Sequence, residues 1–447
     1  MICGLYNENS RVKIPAILHL MRMGYGYIPQ LQHGERDEQT NIFPELFLES
    51  VMRINPGATK EEVERLLQDV QLELDYEDLG EKFYQRLTSK SNLRLIDFDN
   101  FEANNSFHVT TEMPCKYEEE SFRPDISILI NGMPLGLIEV KIPNNQNGII
   151  AEHERINRRF QNKRFRRFAN ITQLLVFSNN MEYQDGVAEP VFGAFYATSA
   201  YGKLRFNYFR EDHDYPVKER LAVLKEEWEN EVLRDNNLMV IKSNPEFLTN
   251  KQEDRPTNRI LTSLFSKERL KFILQYAFAY VKEESGGKLT IQKHIMRYPQ
   301  LFATQAISAR LDTGEKKGII WHTQGSGKTA LAYFNVKHLT DYYQRKGIIP
   351  KFYFIVDRLD LLNQASTEFA NRGLKVHRVN SREEFNREFQ KTRAIYNDSG
   401  IPEITVVNIQ KFSEEANVVQ SQDYDISIQR IYFLDEVHRS YNPQGSF

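Results

Sequence analysis

No stretch limits the fold of this chain more tightly than residues 318–329, Gly318-Ile319-Ile320-Trp321-His322-Thr323-Gln324-Gly325-Ser326-Gly327-Lys328-Thr329. A short apolar run, expected to be a strand, leads into a glycine-rich loop, and Ala330-Leu331-Ala332-Tyr333-Phe334 carries on as a helix. Strand, glycine loop, Lys-Thr and helix in that order predict a phosphate-binding loop. Glycines at 325 and 327 let the backbone curl, so that the amides of Gln324, Gly325, Ser326 and Gly327 turn inward on a polyanion. Lys328 adds a point charge for the β- and γ-phosphates of ATP, and Thr329 offers a hydroxyl to Mg²⁺ at the positive end of the helix it opens. His322 replaces the first glycine of the usual G-x-x-x-x-G-K-[ST] pattern, which removes little because the later glycines build the cradle.

A triphosphate loop needs an acidic partner on a neighbouring strand. Ile431-Tyr432-Phe433-Leu434 is a buried-strand run that ends in Asp435-Glu436. Asp435 is expected to reach Mg²⁺ through a water, and Glu436 to accept a proton from the water that attacks the γ-phosphate. His438 follows as a coupling residue. Phe352-Tyr353-Phe354-Ile355-Val356 and Ile404-Thr405-Val406-Val407 are further strand runs, alternating with helical segments. The pattern predicts an α/β domain with a parallel sheet and functional loops at its C-terminal edge.

A chain of 447 residues is too long for one core and predicts two or three domains. Its net charge of −3 provides no general attraction to nucleic acid, so any DNA contact must come from local basic patches. Cys3 and Cys115 are too few for a disulfide framework or a cysteine zinc site, which makes the reducing cytoplasm the expected location. No apolar run approaches the roughly 18 residues of a membrane span.

The first part of the chain reads as helices, with Ser10 as N-cap of an apolar stripe from Val12 to Met21. Residues 123–141 are more informative. Two β-rich runs flank Asn131-Gly132, a strong hairpin signal. Alternation puts Ile126, Ile128, Ile130, Ile138 and Val140 on an apolar side and Asp125, Ser127, Glu139 and Lys141 on the other. A plain two-residue loop would pair Asp125 with Ile138; a three-residue loop or a bulge brings Asp125 opposite Glu139, and the latter is expected. Asp125, Glu139 and the Val140 carbonyl then form an oxygen site for Mg²⁺, with Lys141 orienting water or stabilising the phosphoryl charge.

Pro124-Asp125 followed by Glu139-Val140-Lys141, in "RPDISILINGMPLGLIEVK", resembles the PD-(D/E)xK nuclease core of the restriction (HsdR) subunit of type I restriction enzymes. "IIWHTQGSGKT" resembles the first motor motif of the same subunit. The resemblance covers almost the whole chain and implies two domains. Residues 1–240 would be a PD-(D/E)xK nuclease with a mixed sheet flanked by helices. Residues 241–447 would be the first RecA-like lobe of a superfamily 2 helicase motor, the second lobe lying beyond a truncated end. On the same basis Arg297 and Gln300 are expected to read the adenine edge, with Gln305 a rival, and the loops at Asp357–Asp360 and Asn408–Lys411 to track a DNA strand. Arg155, Arg158, Arg159 and Lys163 share a helix side that is either a phosphate-binding patch or a solvated face. The family's Q-x-x-x-Y motif survives only as Gln161 to Phe165, or with Phe160 in the aromatic place. Glu8 is either a third metal ligand or, as the nearer expectation, a structural N-terminal charge. The implied activity is ATP-dependent translocation on double-stranded DNA coupled to Mg²⁺-dependent cleavage, in a complex with specificity and methyltransferase subunits. The alternatives are a translocase whose nuclease-like domain only grips DNA and a nucleotide-dependent binding module.

Overall fold

The computed structural model describes residues 7–142, 146–182, 193–211, 213, 215–323, 325–379, 381, 384–385, 401–408 and 428–435. It divides into two compact units, Met1–Gln275 and Tyr276–Phe447. The division falls beyond the boundary expected near 240, because residues 241–275 are bound into the first unit. The Tyr25 hydroxyl donates to the Phe265 carbonyl at 2.8 Å, and His19 Nε2 lies 2.6 Å from Thr262 Oγ1. The Tyr84 hydroxyl meets the Leu274 and Gln275 carbonyls at 3.0 and 3.1 Å.

The first unit is built on a seven-stranded mixed sheet in the order β1-β2-β5-β6-β7-β8-β9. Its strands are β1 (Gly26–Tyr27), β2 (Phe107–Thr111), β5 (Ile126–Ile130), β6 (Met133–Val140), β7 (Leu174–Ser178), β8 (Ala194–Ala197) and β9 (Asn207–Phe209). A separate hairpin joins β3 (Cys115–Tyr117) to β4 (Glu120–Phe122). The β5–β6 turn uses Asn131 and Gly132 with φ of 51° and 76°, the left-handed pair that a two-residue hairpin demands. Ile130 pairs with Met133, but Ile126 pairs with Ile138, because the register shifts between Ile128 and Leu129. A tight turn and a bulge therefore coexist. The bulge restores the parity that sets Asp125 beside Glu139, as expected.

The polar side of this hairpin is not open to solvent. Every residue of β5 and β6 is buried, Glu139 included. Central strands are covered on both faces, and alternation marks an exposed face only where nothing packs on it. The helix Gln146–Gln161 covers the Leu137–Glu139 side, where Ile156 and Phe160 join Leu137, Leu175 and Phe177 in one cluster. On the opposite side a Cβ added to Gly136 would lie 3.5 Å from the Phe265 ring, in the helix Pro256–Phe265. The helix Ile14–Arg22 is buried at every position from Ile14 to Met21, so it is a central helix and not a surface one. Ser10 is not its cap: it lies inside a preceding helical turn, Asn9–Lys13, and bonds back to Asn7.

The second unit opens with the antiparallel hairpin β10 (Phe278–Ser285) and β11 (Lys288–Ile295). A four-stranded parallel sheet follows, in the order β13-β14-β12-β15, from β12 (Ile349–Val356), β13 (Lys375–Val379), β14 (Glu403–Asn408) and β15 (Ile428–Leu434). Tyr353, Ile355, Val379 and Val407 pack as one cluster of its core. The strand expected at 318–322 does not form: Ile319 is 89% and Trp321 92% exposed. Apolar β-propensity makes a strand only where a ladder partner lies alongside, and among the described residues none does. No described helix is long and apolar enough to cross a membrane.

Candidate active sites

In the first unit the bulged hairpin brings its acidic and basic groups together. Asp125 Oδ2 accepts a hydrogen bond from the Val140 amide at 2.9 Å and lies 3.7 Å from Lys141 Nζ. Lys141 is anchored through its own amide, which donates to the Ser178 carbonyl of β7 at 2.9 Å. Its ammonium meets Glu8 at 3.1 Å and the Val140 carbonyl at 2.7 Å, so the carbonyl expected on the metal serves the lysine here. Glu8 thus reaches the site, from the turn that precedes the first helix.

Electrostatics follow from crowding. Burial pushes Glu139 well above the usual carboxylate range, the Asp125 charge beside it adds to the rise, and the Arg159 guanidinium opposes both. Burial raises Glu8 as well, against the pull of Lys141. For Lys141, burial works against its charge, but Asp125, Glu8, Glu152 and Glu139 outweigh it and raise its pKa, which keeps the ammonium protonated.

Among the described residues no three His, Cys, Asp or Glu side chains stand in a metal-ligand arrangement, because Lys141 and Arg159 separate the acids. A hard cation asks less of a site: Mg²⁺ takes one or two carboxylates and keeps several waters. Buried Glu139, with half-buried Asp125 beside it repelling its charge, fits that requirement.

In the second unit Gly325 and Gly327 have φ of 76° and 84°, and Gly327 caps the helix Lys328–Gln344, which starts with Lys328 and Thr329. Arg297 and Gln300, at the start of the helix Tyr298–Asp312, both reach this loop. Arg297 Nη1 donates to the Gly325 carbonyl at 3.3 Å, and Gln300 Nε2 donates to the Gly327 and Ser326 carbonyls at 3.0 and 3.4 Å. Gln300 Oε1 accepts from the Arg297 amide at 2.9 Å. Asp435 directly follows β15, its amide bonded to the Ile355 carbonyl of β12 at 3.0 Å. Gln324, Glu436, His438 and the stretch Ile409–Lys411 lie outside the described residues.

The two units match two known families. Residues 5–186 match the family described as type I restriction enzyme R protein N terminus, and residues 293–445 match the family described as type III restriction enzyme, res subunit. Both matches are to restriction-enzyme subunits, the first to the R protein of type I enzymes. Among similar proteins is a Methanocaldococcus jannaschii chain provisionally named type I restriction enzyme MjaIXP endonuclease subunit, 25% identical over 476 residues, 97% of this chain and 40% of that protein. The same organism's MjaVIIP endonuclease subunit, also provisionally named, is 26% identical, over 66% of this chain and 24% of its own length. The type I restriction enzyme SauCOLORF180P endonuclease subunit of Staphylococcus aureus is 24% identical, over 86% and 35%. The chain spans less than half the length of these relatives.

Two residues of this cluster were not singled out by sequence reasoning in the roles they take. Glu152 is buried at 1% exposure, with Oε2 3.7 Å from Lys141 Nζ and 2.8 Å from Arg155 Nη1. Arg159, expected on the outer basic stripe, turns inward and donates to Glu139 Oε1 at 2.8 Å. Arg158 and Lys163 are exposed and carry no ion pair among the described residues, so they keep the phosphate-facing role open. Gln161 is exposed, whereas Phe160 and Phe165 are buried. The signal for Arg159 was its i,i+7 spacing from Glu152, which stacks the two on one helix side.

Proposed function

We propose that the first unit is a Mg²⁺-dependent DNA-cleaving domain of the PD-(D/E)xK type, centred on Asp125, Glu139 and Lys141. The second unit is then the ATP-binding, RecA-like lobe of a superfamily 2 motor that translocates on double-stranded DNA. The observation that carries this reading is the β-bulge, which puts a proline-preceded aspartate, a buried glutamate and a lysine at one end of a central hairpin. Asp125 and Glu139 would hold the cation, with the Val140 carbonyl beside them once Lys141 turns to substrate. When bound, Mg²⁺ supplies an activated water and positive charge at the scissile phosphate. Lys141, kept protonated by its acidic neighbours, places a second positive charge where a non-bridging phosphate oxygen gains charge in the transition state. Exposed Arg158 and Lys163 on the neighbouring helix and turn would hold the DNA backbone.

In the second unit the amides of Gln324 to Gly327 receive the triphosphate, and Lys328 neutralises its terminal phosphates. Thr329 and Asp435 would hold Mg²⁺ there, and Glu436 would act as the base. Arg297 and Gln300 bear on the nucleotide from beside the loop. The names of the relatives support a place in a type I restriction assembly, in which specificity and methyltransferase subunits would be the partners.

The test is cleavage of circular DNA by the assembled enzyme. Asp125→Ala, Glu139→Ala and Lys141→Ala should each slow cleavage on the order of a hundredfold or more while ATP hydrolysis continues. Lys328→Ala should abolish ATP hydrolysis and, with it, cleavage. Undiminished cutting by the Asp125→Ala enzyme would refute the assignment, and intact DNA binding without any wild-type cutting would support the gripping alternative.

A further inference from the structure

The helix Gln146–Gln161 does more than cover the sheet. Arg159 is only 16% exposed and is held from three directions. Its Nη1 donates to Glu139 Oε1 at 2.8 Å and lies 3.8 Å from Glu152 Oε1, and its guanidinium carbon sits 4.9 Å from the centre of the Phe122 ring. Phe122 stands three residues before Asp125, so the arginine is braced by the strand that leads into the acidic site. Glu152 makes no well-directed hydrogen bond with either oxygen despite its burial. Its carboxyl group lies 2.8 Å from Arg155 Nη1, 3.7 Å from Lys141 Nζ and 3.8 Å from Arg159 Nη1.

We propose that Arg159 is a positioning residue for Glu139. It engages Oε1, so the carboxylate is held in one rotamer beside the Asp125 side chain, where a divalent cation would be shared. Glu152 and the Phe122 ring fix the guanidinium in turn. A carboxylate ligand oriented by its own hydrogen-bond partner binds a metal more tightly than a mobile one, by about 10- to 100-fold in known metal sites. Arginine suits this task because its planar fork holds direction as well as charge.

The inference rests on the metal-site reading and is tested on metal binding itself. Mn²⁺ binding to the full chain is titrated by electron paramagnetic resonance at constant pH, for wild type and for Asp125→Ala, Arg159→Met and Arg159→Lys. Thermal unfolding of each confirms that it is folded. The expected result is Mn²⁺ binding that is lost in Asp125→Ala, weakened about 10- to 100-fold in Arg159→Met, and intermediate in Arg159→Lys. Unchanged Mn²⁺ affinity in a folded Arg159→Met chain would overturn the positioning role and leave the metal site standing. Tighter binding would also overturn it, by making Arg159 a competitor of the cation. Wild-type binding that Asp125→Ala does not alter would remove the metal site, and this inference with it.

Discussion

Asn131 combines a left-handed backbone, φ 51°, with complete burial. Its Oδ1 accepts from the Ser106 amide at 2.8 Å, and its Nδ2 donates to the Leu95 carbonyl and Asn105 Oδ1, each at 2.8 Å. Asn131→Ala would strand those groups and put an unsuited residue at positive φ, so a loss of about 2–4 kcal/mol is expected in urea unfolding. The turn itself was readable from Asn-Gly; the clamp was not, since its partners come from residues far away in the chain. Histidines set the acid limit. Burial lowers His19 to about 3, and burial also brings His33 and His108 to about 4. Below the ordinary value near 6.5, the unfolded chain takes up protons that the folded one refuses. Stability should therefore fall as pH drops from 6.5, by about 1.4 kcal/mol per pH unit for each histidine, until the folded values are reached. Urea midpoints at pH 7 and pH 5 check this, and His19→Gln should flatten the dependence while lowering stability at pH 7.

Among elements, the glycine loop and its helix show the closest fit between sequence and structure, and also its limit. A Cβ on Gly327 would sit 2.6 Å from Gln300 Nε2, at φ 84°, while one on Gly325 would meet open space at φ 76°. Gly327→Ala should accordingly raise the Kd for ATP more than Gly325→Ala does, by about tenfold or more, with little change in the melting temperature. Gln300→Ala, which removes the brace on the loop, should weaken ATP binding several-fold. Equilibrium titration with a fluorescent ATP analogue measures both. The motif was visible because its chemistry is local: amides, lysine and hydroxyl follow one another along the chain. The run at 318–322 has the composition of a strand, but pairing is a property of two segments and cannot be read from one. The helix Gln146–Gln161 presents the same problem. Its basic residues were evident in sequence, but which of them turn inward depends on how the helix crosses the hairpin. Arg159 goes to Glu139 and Arg158 to solvent, although they are adjacent.

At the scale of the molecule, charge composition suggested a domain boundary near 240, but residues 241–275 complete the first unit. Highly charged helices resemble a linker in composition, whereas their buried faces are decided by tertiary packing. Residues 1–275 should therefore express as a stable fragment, and residues 1–240 should not, since they would leave the partners of His19, Tyr25 and Tyr84 without a cover. Limited proteolysis of the full chain should likewise spare the 241–275 region longer than a linker would allow. The tie between Ile14–Arg22 and Pro256–Phe265 has a temporal side as well. A ribosome makes the first partner almost at once and the second only after most of the unit has emerged, so the nascent polypeptide spends that interval without its central helix enclosed. The hairpin that carries Asp125 and Glu139 gains the Pro256–Phe265 side of its packing only after this interval. On the function proposed above, a cell making this chain would be spared a competent DNA-cutting centre on unfinished protein until synthesis had already entered the proposed ATP-binding unit.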